Sequence, residues 1–273
     1  MSTLLREPAT GASLIASPIQ RYLERLHDKY AQLEDGEVAS YIPELSHAQP
    51  HWFGIAVATT DGQVYEVGTT RQAFTIQSIS KAFTYGLALE DVGRAEVLAK
   101  IGVEPTGDAF NSISLHPETG CPLNPMINAG AIASTSLVAG NSPEDRLARI
   151  LAVFGLYAGR GLEIDATVYA SEKRTGHRNR AIGHMLRNFD ILTDDPEPDL
   201  DLYFRQCSIN VDCRDLAVMA ATLANGGRNP ITGERAIRPE LVDSVLSVMT
   251  TCGMYDSAGE WVYSVGMPAK SGV

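Results

Sequence analysis

Basic side chains are scarce in this 273-residue chain: 22 Lys and Arg stand against 33 Asp and Glu, for a formal net charge of -11. That deficit argues against a nucleic-acid or anionic-membrane surface as the main partner, since both call for a cationic footprint. Cysteine is sparse as well. Cys121, Cys207, Cys213 and Cys252 form neither a CxxC pair nor a metal-ligand spacing, so they read as buried free thiols in a reducing cytoplasm. The six histidines do not cluster, and no metal or cofactor is expected. No apolar run approaches the roughly 18 residues of a membrane span. The opening "MSTLLREPATGASLIASPIQ" lacks the compact apolar core of a secretory signal, so a cytoplasmic location is expected. Repeats, low-complexity segments and linker-like composition shifts are missing too. What is left is a soluble globular chain, 44% hydrophobic, long enough to bury a sizeable core.

The patterning that is present predicts its elements. "SPIQRYLERLHDKYAQL" puts Ile19, Tyr22, Leu23, Leu26, Tyr30 and Leu33 on one helical face, with Ser17 and Pro18 suited to the N-cap and first helical position. "WFGIAVATTDGQVYEVG" holds two strand-like runs around Asp61-Gly62 and predicts a β-hairpin. From Ser78 to about Glu240 the pattern is mostly helical. "NAGAIASTSLVAG" is small and apolar, as a buried helix would be, and "SPEDRLARILAVFGLYAG" opens with Ser-Pro and an acidic first turn. "CRDLAVMAATLANGG" and "RPELVDSVLSVMTTCG" both end in glycine, the residue expected after a helix. The last stretch, "EWVYSVGMPAKSGV", reads as a strand returning to a sheet. Together these predict an α/β plus α fold, with one antiparallel sheet split around a mostly helical insertion. The chain reads as a single domain, its α/β part about 1–75 and 255–273 and its helical part about 76–254.

One short stretch carries chemistry. "FTIQSISKAF" passes from strand-like to helix-forming residues at Ser78, Ser80 and Lys81. Residues i and i+3 share a helix face, so Ser78 and Lys81 can meet while Ser80 faces away. The chain has only five lysines and no other Ser-x-x-Lys, and this one is flanked by apolar residues rather than by the charges of a solvated face. A lysine at its ordinary pKa of about 10.4 is a poor base at neutral pH. Burial or a second cation makes such an amine available as a base, and Lys270 in "PAKSGV" is a suitable second cation. The ordinary alternative for any Ser-x-x-Lys is a surface pair.

Ser-x-x-Lys followed far downstream by Lys-Ser-Gly resembles the signature of serine β-lactamases and penicillin-binding proteins. "YIPEL" at 41–45, "QSISK" at 77–81, "NPMINAGAI" at 124–132, "SEKRTGHRN" at 171–179, "CGMYD" at 252–256 and "PAKSGV" at 268–273 narrow this. In order, they resemble the serine-dependent glutaminase family, from about residue 17 to the last. The resemblance implies a β-lactamase/transpeptidase-like fold and hydrolysis of L-glutamine to L-glutamate and ammonia through a glutamyl-enzyme ester. It implies Ser78 as nucleophile, Lys81 as general base and Tyr255 as proton relay. It also implies a substrate pocket formed by Tyr41, Asn128, Glu172, Asn179 and Tyr203, with the backbone N–H groups of Ser78 and Val273 as oxyanion donors. For each of these a structural hydrogen bond or an ordinary surface or core position is the competing explanation. A homo-oligomer, dimer or tetramer, is implied as well. In that family further strands and a closing helix follow the "KSGV" strand, so the C-terminal strands are expected to be missing and the chain to be truncated. "AIGHML" at 181–186 departs from the family's tyrosines and supports no pocket role. The competing readings are a penicillin-interactive enzyme or β-lactamase, and a truncated, inactive scaffold subunit.

Overall fold

Ser17 opens the first helix as its sequence predicts. Its hydroxyl accepts the Ile19 N–H at 3.3 Å, Pro18 takes the first helical position, and α1 runs Pro18–Tyr30. The computed structural model describes residues 17–107 and 113–272. The predicted hairpin is present: β1 (Gly54–Ala58) pairs antiparallel with β2 (Val64–Gly68), Ala58 opposite Val64 and Gly54 opposite Gly68. Gly62 in the turn has φ 86°, a left-handed value that glycine adopts without steric cost. A second, very short antiparallel pair joins β3 (Phe74–Thr75) to β4 (Asn210–Val211).

Among the described residues six α-helices lie between β3 and β4. They are α2 (Ser80–Lys100, broken at Gly93), α3 (Asn128–Ser136), α4 (Pro143–Ala158), α5 (Ala166–Thr175), α6 (His177–Asn188) and α7 (Glu197–Cys207). After β4 come α8 (Cys213–Ala224), α9 (Pro239–Cys252) and α10 (Ala258–Ser264). Their starts follow local chemistry. Ser142 caps α4 by accepting the Asp145 N–H, and Asp212 and Asp215 form a reciprocal capping box at α8.

The core centres on α2, which packs on α3, α4 and α9. Every residue from Ser80 to Leu89 is buried, so this half of the helix has no solvated face. Phe83 meets Phe154 and Tyr157 edge-on, with centroids 5.8 and 4.8 Å apart, the geometry that suits the ring quadrupoles. Small residues in α3 let backbones approach closely. A Cβ on Gly130 would lie 1.9 Å from the carbonyl oxygen of Asn124.

The structure differs from the sequence expectation at the sheet and at the end of the chain. Among the described residues the strands form two separate two-stranded sheets rather than one split sheet. The segment expected as a returning strand instead holds α10, and residues 265–272 form no strand. The reason is backbone pairing. Among the described residues no strand pairs with this segment, and a helix satisfies its N–H and C=O groups locally. The Trp261 indole N–H then donates to the Met267 carbonyl at 2.8 Å and folds the tail back. Among the described residues no helix is long and apolar enough to cross a membrane.

Candidate active site

Ser78 lies in a 3-10 turn, Gln77–Ile79, wedged between β3 and α2. The Ile76 N–H donates to the Ile209 carbonyl just before the turn, so the β3–β4 ladder anchors it. Gln77 has φ 45°. For a residue with a Cβ this left-handed conformation costs about 1 kcal/mol or more and persists only when neighbours hold it. Here Ser80 holds it: its hydroxyl donates to the Gln77 carbonyl at 2.7 Å and accepts from Gln206 Nε2 at 3.0 Å. Ser80 is thus spent on a fully buried structural network that continues to Thr135. Ser78 is only partly buried.

Lys81, in the first turn of α2, is 0% exposed. The surface-pair alternative therefore fails. Its Nζ donates to Asn128 Oδ1 at 2.6 Å and to the Tyr255 hydroxyl at 3.4 Å. Asn128 is held in turn by donating to Asn179 Oδ1 at 3.0 Å. Asn128 opens α3, whose start is set by Asn124: Asn124 Oδ1 accepts the N–H groups of Met126 and Ile127.

Tyr255 is the junction. It sits in a 3-10 turn with φ 55°, and Lys270 Nζ donates to its hydroxyl at 2.8 Å while lying 4.1 Å from its ring centroid. Burial pushes the phenol up, but the charges of Lys81 and Lys270, with hydrogen bonds to Lys270 and Ser78, outweigh it and bring it down to about 8. Burial first, and then the charge of Lys81, lower Lys270 to about 8 against the pull of Tyr255. Two neighbouring groups of near-equal acidity exchange a proton at little free-energy cost. Ser78 joins this cluster through the Tyr255 phenol. The tail carrying Lys270 runs beside the Ser78 turn, since a Cβ on Gly272 would meet Ile79 Cγ1 at 2.8 Å.

Next to the cluster is a cavity of about 260 Å³, with Tyr41, Asn128, Glu172, Arg178 and Asn179 among its lining residues. It is slightly smaller than the ~300–1,000 Å³ usual for small-molecule sites. Glu172 on α5 is 6% exposed, and its Oε2 is buried with no hydrogen-bond partner. Burial raises its carboxyl to about 8, while Lys81, Ser208 and Gln77 pull the other way. A buried oxygen left unpaired costs roughly 1–3 kcal/mol, so this carboxyl oxygen is open to a ligand group. The α5–α6 junction that forms the wall depends on Gly176, where a Cβ would come within 2.5 Å of the Phe204 ring.

The structure brings Ser78, Lys81, Tyr255, Asn128, Glu172, Asn179 and Tyr41 together. Tyr203 is 2% exposed and hydrogen-bonded to Cys207; its hydroxyl is pushed well up, by burial above all and then by neighbours that include Cys207, Glu172 and Tyr255. Val273, expected as an oxyanion donor, lies outside the described residues. His184 and Met185 point outward from α6 and are exposed. Sequence reasoning assigned no role to Arg178 or Gln77. Arg178 hides in a motif crowded with charges. The signal for Gln77 is a lone amide in an otherwise apolar "FTIQSI".

A sequence profile of the family described as Glutaminase matches residues 36–273. A glutaminase of Microcystis aeruginosa is 58% identical over 266 residues, 97% of this chain and 79% of that protein. The crystal structure of Mglu in its native form superposes with a TM-score of 0.90 at 45% identity, covering 94% of this chain and 63% of that one. A probable glutaminase from Bacillus subtilis complexed with 6-diazo-5-oxo-L-norleucine gives a TM-score of 0.85 at 33% identity, covering 95% and 82%.

Proposed function

The chain belongs to the glutaminase family and is a hydrolase of L-glutamine; from that premise we propose that it works through a glutamyl ester on Ser78. The observation that carries this reading is the burial of Lys81 beneath the Ser78 turn, bonded to Asn128 and to a phenol that also bonds Ser78. The Ser78 hydroxyl attacks the carboxamide carbon, and its proton passes through Tyr255 toward Lys81 as general base. The tetrahedral oxyanion collapses, the C–N bond breaks, and the same relay returns the proton to the leaving nitrogen as ammonia. A water then attacks the ester carbon, gives its proton to the relay and releases Ser78 and glutamate. The N–H groups of Ser78 and Val273 stabilise the oxyanion in both halves.

Free glutamine is a zwitterion, so its site needs an acceptor for ammonium and donors for carboxylate. Glu172, with an unpaired buried oxygen, supplies the first. Arg178 and the amide groups of Asn128 and Asn179 give the cavity donors for the second. A cytoplasmic homo-oligomer, dimer or tetramer, completes the reading. Ammonia release from L-glutamine by wild type and by Ser78→Ala tests it: turnover that survives the substitution removes Ser78 from the chemistry.

A further inference from the structure

Gly93 breaks α2 with φ 82° and ψ 162°, a conformation open in practice to glycine alone. Before the break the helix is largely buried and packs on α9, where a Cβ on Gly86 would meet Val245 Cγ2 at 3.3 Å. Beyond the break a cleft of about 470 Å³ lies between the two helices. It is larger than the cavity beside Ser78 and within the range usual for small-molecule sites. Part of its lining is apolar. Tyr85 and Val248 are buried there, while Leu98 and Val103 leave 47% and 38% of their surface exposed.

Two charges stand over this apolar surface. Arg94 follows the break directly, and its Nη2 donates to the Ser244 hydroxyl of α9 at 2.5 Å. Asp243 is the residue before Ser244 and lines the same cleft. Among the described residues neither Arg94 nor Asp243 has an ion-pair partner, whereas Arg149 and Arg238 bind Asp91 and Glu90 of the same helix α2. In a chain of net charge -11, a guanidinium without a carboxylate is an open position for one.

We propose that this cleft is a second binding site, for an α-amino acid with an apolar side chain. The charges decide the head group. One unpaired cation and one unpaired anion on neighbouring positions match a zwitterion, with the guanidinium fork on its carboxylate and Asp243 accepting from its ammonium. The apolar lining decides the rest. A side chain of leucine size laid on Leu98, Val103 and Val248 takes apolar surface of both partners out of water. A second carboxylate, as in L-glutamate, would meet that surface or Asp243 and lose hydration without compensation. The cleft and the Ser78 cavity are lined by different residues, so the inference does not depend on the chemistry at Ser78.

Titration calorimetry with L-leucine as the probe tests the site in wild type, Arg94→Met, Asp243→Asn and Glu172→Gln. Wild type should bind L-leucine with a Kd of about 1 mM or tighter. Arg94→Met should weaken it at least about tenfold. Asp243→Asn should weaken L-leucine about fivefold and leave the affinity for 4-methylpentanoate, the same body without the ammonium, unchanged. Glu172→Gln should bind L-leucine as wild type does, because Glu172 belongs to the other cavity. Absence of binding to wild type at ~10 mM L-leucine overturns the proposal, and so does equal affinity in Arg94→Met or in Asp243→Asn. Binding lost in Glu172→Gln places L-leucine beside Ser78 and overturns it too. Arg94 and Asp243 are exposed, so folding should survive both substitutions. Should Arg94→Met fail to fold, Ser247→Glu, which adds a carboxylate to the exposed α9 side of the cleft, takes its place with the same expectation.

Discussion

Replacing Glu172 by Gln should stabilise the unliganded protein while weakening its hold on substrate. In the folded chain burial raises this carboxyl from 4.5 to about 8, whereas in the unfolded chain it titrates near its ordinary value. A carboxyl whose folded pKa is raised contributes its full stability below the unfolded pKa and loses it as pH climbs toward the folded one. The loss accordingly runs from about pH 4.5 to pH 8. At pH 7 the unfolded side chain is ionised and the folded one mostly protonated, which favours unfolding by up to ~3 kcal/mol at ~1.36 kcal/mol per pH unit. Glutamine carries no charge at any pH, so Glu172→Gln escapes this term. At ~2 °C per kcal/mol, its Tm should exceed that of wild type by roughly 6 °C at pH 7, by more than that at pH 8, and match it near pH 4.5. The assay is thermal denaturation of both proteins across that range. A Glu172→Gln variant as pH-sensitive as wild type, or less stable at pH 8, refutes the reasoning. The same variant loses the acceptor for the substrate ammonium, so KM for L-glutamine should rise; an unchanged KM removes Glu172 from the site.

Ser78→Ala should abolish ammonia release, whereas Ser80→Ala should keep a measurable rate and lose ~1–3 kcal/mol of stability, because Gln206 Nε2 is left without its Ser80 partner; the reverse pair of results reassigns the nucleophile. Lys270→Met takes one cation from a phenol held near 8 by two, so the rising limb of kcat/KM against pH should move to higher pH; a profile that stays in place removes Lys270 from the relay. Gly130→Ala drives a methyl group onto the Asn124 carbonyl at 1.9 Å and should cost ~3 kcal/mol or more in a denaturation series; a small cost would mean that α3 shifts freely.

The helices were the most legible part of the chain, because their signals are local. Ser17-Pro18, Ser142-Pro143 and the small residues of α3 act within a turn or two of themselves. The end of the chain was least legible. Trp261, Val262, Tyr263 and Val265 read equally well as a strand, and only a neighbour to pair with decides between strand and helix. The site divides along the same line. Ser78 and Lys81 stand out by spacing, but the burial that separates a working lysine from a surface one depends on α3, α4 and α9 packing around α2. The roles of Tyr255 and Lys270 depend on a meeting with Lys81, 174 residues before Tyr255, which no local pattern records. Gln77 was passed over because its meaning lies in partners 36 and 95 positions away, Tyr41 and Glu172.

The central claim is that Ser78 forms the covalent bond to substrate. The glutamine-like diazoketone 6-diazo-5-oxo-L-norleucine, found in complex with the Bacillus subtilis relative, tests it by peptide mapping with mass spectrometry. A single adduct on the peptide carrying Ser78, absent from Ser78→Ala and slowed in Lys81→Met, is the predicted result. An adduct on another residue, or one that survives Ser78→Ala, contradicts the account.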